Sequence, residues 1–388
     1  MARTPTQDIE LYKNMKDIKD YTYLLGAGAS AQKIPVVLGF DKKIRLIQNL
    51  VSRRQLFHNS KTQDRLIELL NWYYNEVKSH ATIDTLAKKF FLTGDEDNYN
   101  KLKHLIEFSF VVWHQSNHHY LRKNNQSQDE FEFSYDVDPR YDAFFAQILK
   151  KEVGGLQLPD NIKMLSWNYD VQAEYSISKF FKKETLNDLI ETNMVFPQNN
   201  YKEIQDDKFM LIKLNGTFCG EVAEANESYL YEEFNFNDIK SHVLKNSLFD
   251  EPVSTEKSKI EILSDKLIDK IDSKSKSGIL YSWENNPAAN RIREISLNAV
   301  KNTDALIVIG YSFPNFNREI DKSLLSKMGG LREVYIQVEN REKFEIIKSK
   351  IVSIKPYLEK TIFPVDFVNE FYVPDLNSRK SRMSVSVI

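Results

Sequence analysis

From about Lys42 to Lys123 the apolar residues recur three and four positions apart. "KIRLIQNLVSRRQLF" (43–57), "TQDRLIELLNWYYNEVKSH" (62–80), "TIDTLAKKFFL" (82–92) and "YNKLKHLIEFSFVVWHQSNHHYLRK" (99–123) each gather them on one helical face. Polar, acidic residues 124–140 break the pattern as a loop, and "YDAFFAQILKKEV" restores it. A different pattern surrounds this block. "YTYLL" (21–25) is a short unbroken apolar run, and "IKMLSWNYD" (162–170), "KFMLIKLNGT" (208–217), "DALIVIGYSF" (304–313) and "REVYIQVEN" (332–340) are β-rich runs with polar residues or glycine near their ends.

Helical stretches separate the later runs, "AANRIREISLNAVKNT" before the fourth and "FNREIDKSLLSKM" after it. Strands alternating with helices predict an α/β fold, a Rossmann-like parallel sheet flanked by helices, with a helical insert between the first strand and the rest. Functional residues of such sheets gather beyond the carboxyl ends of the strands. The expected division is a domain over 1–345, containing a helical insert at 42–160 and a charged insert at 218–282, then a closing segment and polar tail at 346–388. Residues 251–278 read as a charged surface excursion with a weak helical pattern, and no internal repeat occurs.

Composition narrows the picture further. The 388 residues carry a formal net charge of −2, so no global charge draws the chain to nucleic acid or to a membrane surface. One cysteine, Cys219, excludes intrachain disulfides and a zinc site of four thiolates, and its expected role is packing. No apolar run approaches ~18 residues and the first residues lack a signal-peptide pattern, so the expectation is a cytoplasmic protein.

Three strand ends carry candidate chemistry. Gly26-Ala27-Gly28-Ala29-Ser30-Ala31 follows the first strand and fits G-x-G-x-x-[GA], with a helix expected from Ala29. It is either a cradle of backbone N–H groups for a diphosphate or a tight turn that needs small residues for packing. A redox dinucleotide site would want an acid at the end of a second strand ~20 residues on. Here 41–57 is a basic amphipathic helix, which weakens the dehydrogenase reading. Asn168 and Asp170 end the second run; alternate residues share a face, so both can address a cleft, or they close the strand in an Asx-turn. Gly310 and Ser312 end the fourth run, where glycine admits close backbone approach and serine can bond phosphate or ribose. His114 and His118 are four apart on a helix, a metal-compatible spacing that equally suits a partly exposed helix end.

These motifs, in this order, resemble the sirtuin superfamily, and within it the sirtuin-like NAD-consuming effectors of bacterial antiphage defence. Gly26–Ser30 is similar to the GAGxS loop, Asn168-Tyr169-Asp170 to the TNYD box, and "WENNPAANRIREISLNAVKNTDALIVIGYSFPNFN" (283–317) to the W…A…L…ADxIxxIGYSxPxxN block. "HATIDTLAKKF" (80–90) and "RYDAFFAQIL" (140–149) resemble helical-insert segments more loosely, so that the resemblance spans 20–345.

The resemblance implies NAD+ as substrate, with no metal. Its phosphates would lie on Gly26, Ala27, Gly28, Ala29 and Ser30 and near Gly310 and Ser312, its nicotinamide ribose near Asn168 and its carboxamide near Asp170. Adenosine contacts are expected at Glu339 and Asn340. The implied function is an NAD+ glycohydrolase, releasing nicotinamide and ADP-ribose in abortive infection. Such an effector would be held off until infection and activated by oligomerisation or by a separate sensor chain, an ATPase, a short Argonaute or a nucleotide-processing enzyme.

One position departs from the family. The histidine of its Leu-His-Gly, the general base, is replaced in Leu214-Asn215-Gly216, and neutral Asn cannot take a proton near pH 7. Either positioning and electrostatics suffice, another residue such as His118 or His119 supplies the base, or the chain is an NAD- or ADP-ribose-binding subunit that does not cleave. A zinc-module deacylase fits poorly, because it needs four thiolates and that histidine.

Overall fold

The computed structural model describes residues 19–34, 39–52, 56–115, 137–183, 189, 195–197, 207–222, 229–231 and 257–376. Seven strands form one all-parallel sheet: β1 (Tyr21–Leu25), β4 (Ile162–Ser166), β5 (Val195–Phe196), β6 (Met210–Lys213), β10 (Ala305–Ile309), β11 (Glu333–Gln337) and β12 (Ile362–Val365). Their order across the sheet is β12-β11-β10-β1-β4-β6-β5. Every residue of β1, β4 and β10 is buried, as expected of parallel strands covered by helices on both faces.

Between β1 and β4 the described residues hold five α-helices, α1 (Phe40–Val51), α2 (Ser60–Lys78), α3 (Ile83–Thr93), α4 (Glu96–Gln115) and α5 (Pro139–Ile148), then the hairpin β2 (Lys150–Glu152) with β3 (Gly155–Gln157). Local chemistry sets their bounds. Thr82 Oγ1 accepts from Thr85 N to cap α3, Gly94 ends it at φ 70°, and Asp138 caps α5 with Pro139 at its first position. Around the sheet lie α6 (Gln172–Phe181), α8 (Pro287–Ala299), α9 (Arg318–Lys327) and α10 (Arg341–Val352).

β7 (Gly216–Val222), β8 (Tyr229–Tyr231) and β9 (Ser277–Ile279) form a separate antiparallel sheet. The charged stretch holds α7 (Lys259–Asp272), which is more than an excursion. It packs on α2 and α4, buries Ile260 and Leu267, and its buried Glu261 accepts from His58 N and Asn59 N.

Register aligns the strand ends. Lys213 pairs with Ser166, Ser166 with Leu25, Leu25 with Ile309, Ile309 with Gln337 and Gln337 with Val365, so the carboxyl ends lie in one row. The chain leaves β1 toward β4 on one side and returns to β10 on the other. The point where order reverses lies between β1 and β10, where open parallel sheets take their ligands. No helix among the described residues is long and apolar enough to cross a membrane.

The helix expected from Ala29 is instead a 3-10 turn, Ala27–Ser30, and the first α-helix starts at Phe40. The carbonyls of Gly28 and Ala29, which an α-helix would bond to Gln32 and Lys33, accept from Arg140 Nη2 at 3.0 and 3.2 Å. Gln32 N donates to Asp138 Oδ2 and Lys33 N to Ser30 O, so the i→i+4 bonds of Gly28 and Ala29 do not form, and the one from Ile34 N to Ser30 O stands alone.

Candidate functional site

At the reversal point the loop after β1 is joined to the turn after β10, backbone against backbone. Gly26 N donates to Ile309 O and Gly28 N to Gly310 O, each at 3.0 Å, and Ala29 N to Gly26 O at 2.8 Å. A Cβ on Gly28 would lie 2.7 Å from Gly310 Cα; one on Gly310 would lie 2.4 Å from Gly28 Cα. Gly310 also sits at φ 60°, a region other residues occupy at a cost. Both readings of the glycines now have physical content. They permit this close crossing, and two of the loop's N–H groups are spent on it while a third bonds within the loop. Beneath the loop Arg140 adds a buried cation, paired with buried Asp138 at 2.6 Å and set against the Phe371 ring.

Ser30 is buried and faces the next strand end. Its Oγ accepts from Asn168 Nδ2 at 3.3 Å and lies 3.2 Å from Tyr141 Oη, which ties the β1 loop, the end of β4 and α5 together. Asp170 is buried; its Oδ1 accepts from Gln172 N at 3.1 Å, the bond of an Asx-turn leading into α6. Its carboxylate helps hold the Tyr141 phenol protonated, second to burial. Below it Lys213 Nζ donates to Asp170 O and pairs with Glu174 at 3.2 Å, with both side chains fully enclosed. Burial raises the Glu174 carboxyl above its ordinary range, and the Lys213 charge opposes the rise.

Asn215 lies in the turn after β6, and its Nδ2 donates to Trp167 O at 3.1 Å. Its Oδ1 is buried and meets no hydrogen-bond partner among the described residues. An acceptor left over here differs from a titrating base, and no proton chemistry follows from it.

His114 is fully buried instead of lining a partly exposed helix end. Nδ1 lies 2.8 Å from Phe110 O and so carries the hydrogen, while Nε2 accepts from Val171 N at 3.4 Å. Burial first, then the charges of Lys33 and Lys213, push its pKa down to about 3 against the opposing Phe110 carbonyl. It is neutral and fixed at physiological pH. His118 and His119 fall outside the described residues. Cys219 is buried beside Thr217 Oγ1 at 3.3 Å, in the packing position expected of it. No group of three or more His, Cys, Asp and Glu side chains placed to hold a metal occurs among the described residues.

A second wall comes from the insert and the β9 end. Tyr169, the middle residue of Asn-Tyr-Asp, places its hydroxyl 3.5 Å from Asp84 Oδ1 on the first turn of α3. Its ring meets Tyr281 edge-on at 6.2 Å, and Tyr281 stacks on Trp283 at 4.4 Å with Lys88 Nζ over the Trp283 ring. Burial raises the Asp84 pKa to about 6, with the Tyr169 hydroxyl opposing. Tyr311, stacked on Trp167, donates to Asp321, whose pKa burial raises to about 8.

The outer expected positions are exposed. Ser312 presents its side chain at the surface while its carbonyl accepts from Lys350 Nζ at 2.8 Å. Asn340 Oδ1 accepts from Lys343 N and caps α10, and Glu339 pairs with Lys343 on the exposed surface. The structure thus brings Ser30, Asn168, Asp170 and Asn215 to one edge with Gly26–Gly28 and Gly310, and leaves Glu339 and Asn340 on its outer rim. Sequence reasoning missed Arg140, Tyr141, Lys213 and Asp84. Only the loose insert resemblances at 80–90 and 140–149 pointed near Asp84, Arg140 and Tyr141.

No protein-family model and no curated protein matches the chain. Solved structures do. A Sir2 homologue–NAD complex is similar at 12% identity, over 92% of this chain and 98% of that chain, with a TM-score of 0.35. A mutant Sir2 homologue–ADP-ribose complex is similar at 12% identity over 90% and 97%, TM-score 0.35. Sir2Tm bound to a propionylated peptide is similar at 11% identity over 91% and 97%, TM-score 0.31.

Proposed function

We propose that this protein hydrolyses NAD+ to nicotinamide and ADP-ribose, as an NAD-depleting effector whose activity is released by a partner chain or by self-association. The observation that carries the reading is the hydrogen bond joining Ser30 of the glycine loop to Asn168 at the sheet's reversal point, with Asp170 two residues on. In this reading the Ser30 hydroxyl and the cation of Arg140 beneath the loop favour the diphosphate end. The Asn168 amide positions the ribose hydroxyls, and Asp170 addresses the carboxamide and the charge that develops on the ribose. Nicotinamide leaves NAD+ as a neutral molecule, so departure requires no proton donor. The site's task is to stabilise an oxocarbenium-like state and to admit one water. The antiphage role rests on the sequence resemblance.

Asn215 supports a second reading, a subunit that binds NAD+ or ADP-ribose without cutting it. Incubating the purified chain with NAD+, alone and with the protein encoded beside it, and measuring nicotinamide separates the two. Release is expected, and Asn168→Ala should lower it about 10²-fold or more, the cost of one positioned donor. Binding of NAD+ with no release under either condition supports the second reading. An Asn168→Ala variant with full turnover overturns the site.

A further inference from the structure

We propose that Asp84, carried by the helical insert and not by a sheet strand, is the general base of this site. The inference rests on the hydrolase reading and supplies the group that Asn215 cannot. Its geometry is direct. Asp84 is half-buried on the first turn of α3 and meets the hydroxyl of Tyr169, the residue between Asn168 and Asp170. The titratable groups that face it are Tyr169 from the end of β4, Tyr281 from beyond β9 and Tyr311 from beyond β10, whose phenols all respond to its charge. Lys88 lies one turn further along α3, directed over Trp283. The contact with Tyr169, next in the chain to Asn168 and Asp170, sets the Asp84 carboxylate beside the end of β4.

Of the other acceptors around the cleft, Asp170 holds Gln172 N and is assigned to the carboxamide, Asn215 Oδ1 is an amide oxygen that cannot titrate, and three more are committed. His114 has both ring nitrogens bonded, Glu174 is enclosed with Lys213, and Asp321 is buried behind the Tyr311 hydroxyl, which it accepts with both oxygens. Asp84 is ionised at neutral pH and close enough to neutrality to accept a proton, which is the property a base needs.

The step balances without a further reagent. The C1′–N1 bond of NAD+ breaks and its electron pair leaves with nicotinamide. A water oxygen forms the new bond to C1′, and Asp84 takes the water's proton and later returns it to solvent.

The test measures nicotinamide release by wild type, D84N and D84E across pH, with the activating partner present, alongside NAD+ binding and thermal melting. Wild-type turnover should fall as pH drops through about 6. D84N should lose ~10²–10⁴-fold in kcat and the acid limb with it, while its NAD+ affinity stays within about two-fold of wild type. D84E should recover part of the rate. Because a raised carboxyl pKa makes ionisation unfavourable in the folded state, D84N should melt above wild type near pH 8, and the gap should close near pH 4. That pattern also shows that the variant folds. D84N with wild-type turnover, or an acid limb unchanged in D84N, overturns the inference while leaving the hydrolase intact. A wild type that binds NAD+ but releases no nicotinamide overturns the hydrolase reading itself, and Asp84's role with it.

Discussion

Gly310 is the residue on which the crossing of the two loops depends. It combines a left-handed backbone with a contact in which an added methyl meets only backbone atoms of Gly28 and Ala29. Backbone cannot swing aside as a flexible side chain does, so Gly310→Ala should cost about 2 kcal/mol or more, read from urea unfolding. Beside it, Ser30 and Asn168 were legible in the sequence because small or polar residues directly after apolar runs mark strand ends. Asp84 was not: among the acidic residues of the amphipathic insert nothing local distinguishes it, and its partner is Tyr169, 85 positions away. His114 misled for the same reason. Its helical spacing suits a surface or a ligand equally, and only the packing of Phe110 and Phe218 against it decides for burial.

At the scale of elements, α5 props the β1 loop through Arg140 and Tyr141. Arg140→Ala would leave Asp138, which is fully buried, without its counter-charge, and such broken pairs cost about 3–5 kcal/mol. The loss should appear in thermal melts, together with weakened NAD+ binding by calorimetry. Under α6, Lys213→Met should destabilise in a pH-dependent way. Glu174 would then be an isolated buried carboxyl with a pKa raised further, so the deficit should be small near pH 5 and grow toward pH 8 in paired melts. The long, periodic elements were readable from spacing alone. β5 was not, being only "VF", too short for a pattern, while the proline of β12, "IFPV", suits its place at the edge of the sheet. The 3-10 turn after β1 was also hidden, since it is Arg140, more than a hundred residues on, that occupies the carbonyls a helix would need.

For the whole molecule, the parallel sheet and its helical insert followed from the alternation of patterns, while the placing of the insert beside the end of β4 did not. In the reading proposed above, the cleft is divided between two supports. The sheet carries Ser30, Asn168 and Asp170, and α3 carries Asp84. Ligand binding across both should stabilise the fold as a unit, so saturating NAD+ is expected to raise the melting temperature of wild type and not of Asn168→Ala.

The pairing of β1 has a last consequence, for the order in which the chain is made. Tyr21 is matched with Ile162 on one side and with Ala305 on the other, so β1 waits for partners far along the polypeptide. Contacts of such separation close slowly and late. A nascent chain that has passed β4 holds Asn168 but lacks the Gly310 turn against which the glycine loop is shaped. The ribosome therefore makes everything through the Gly310 turn before a nucleotide has anywhere to bind, and products truncated ahead of that turn lack a finished cleft.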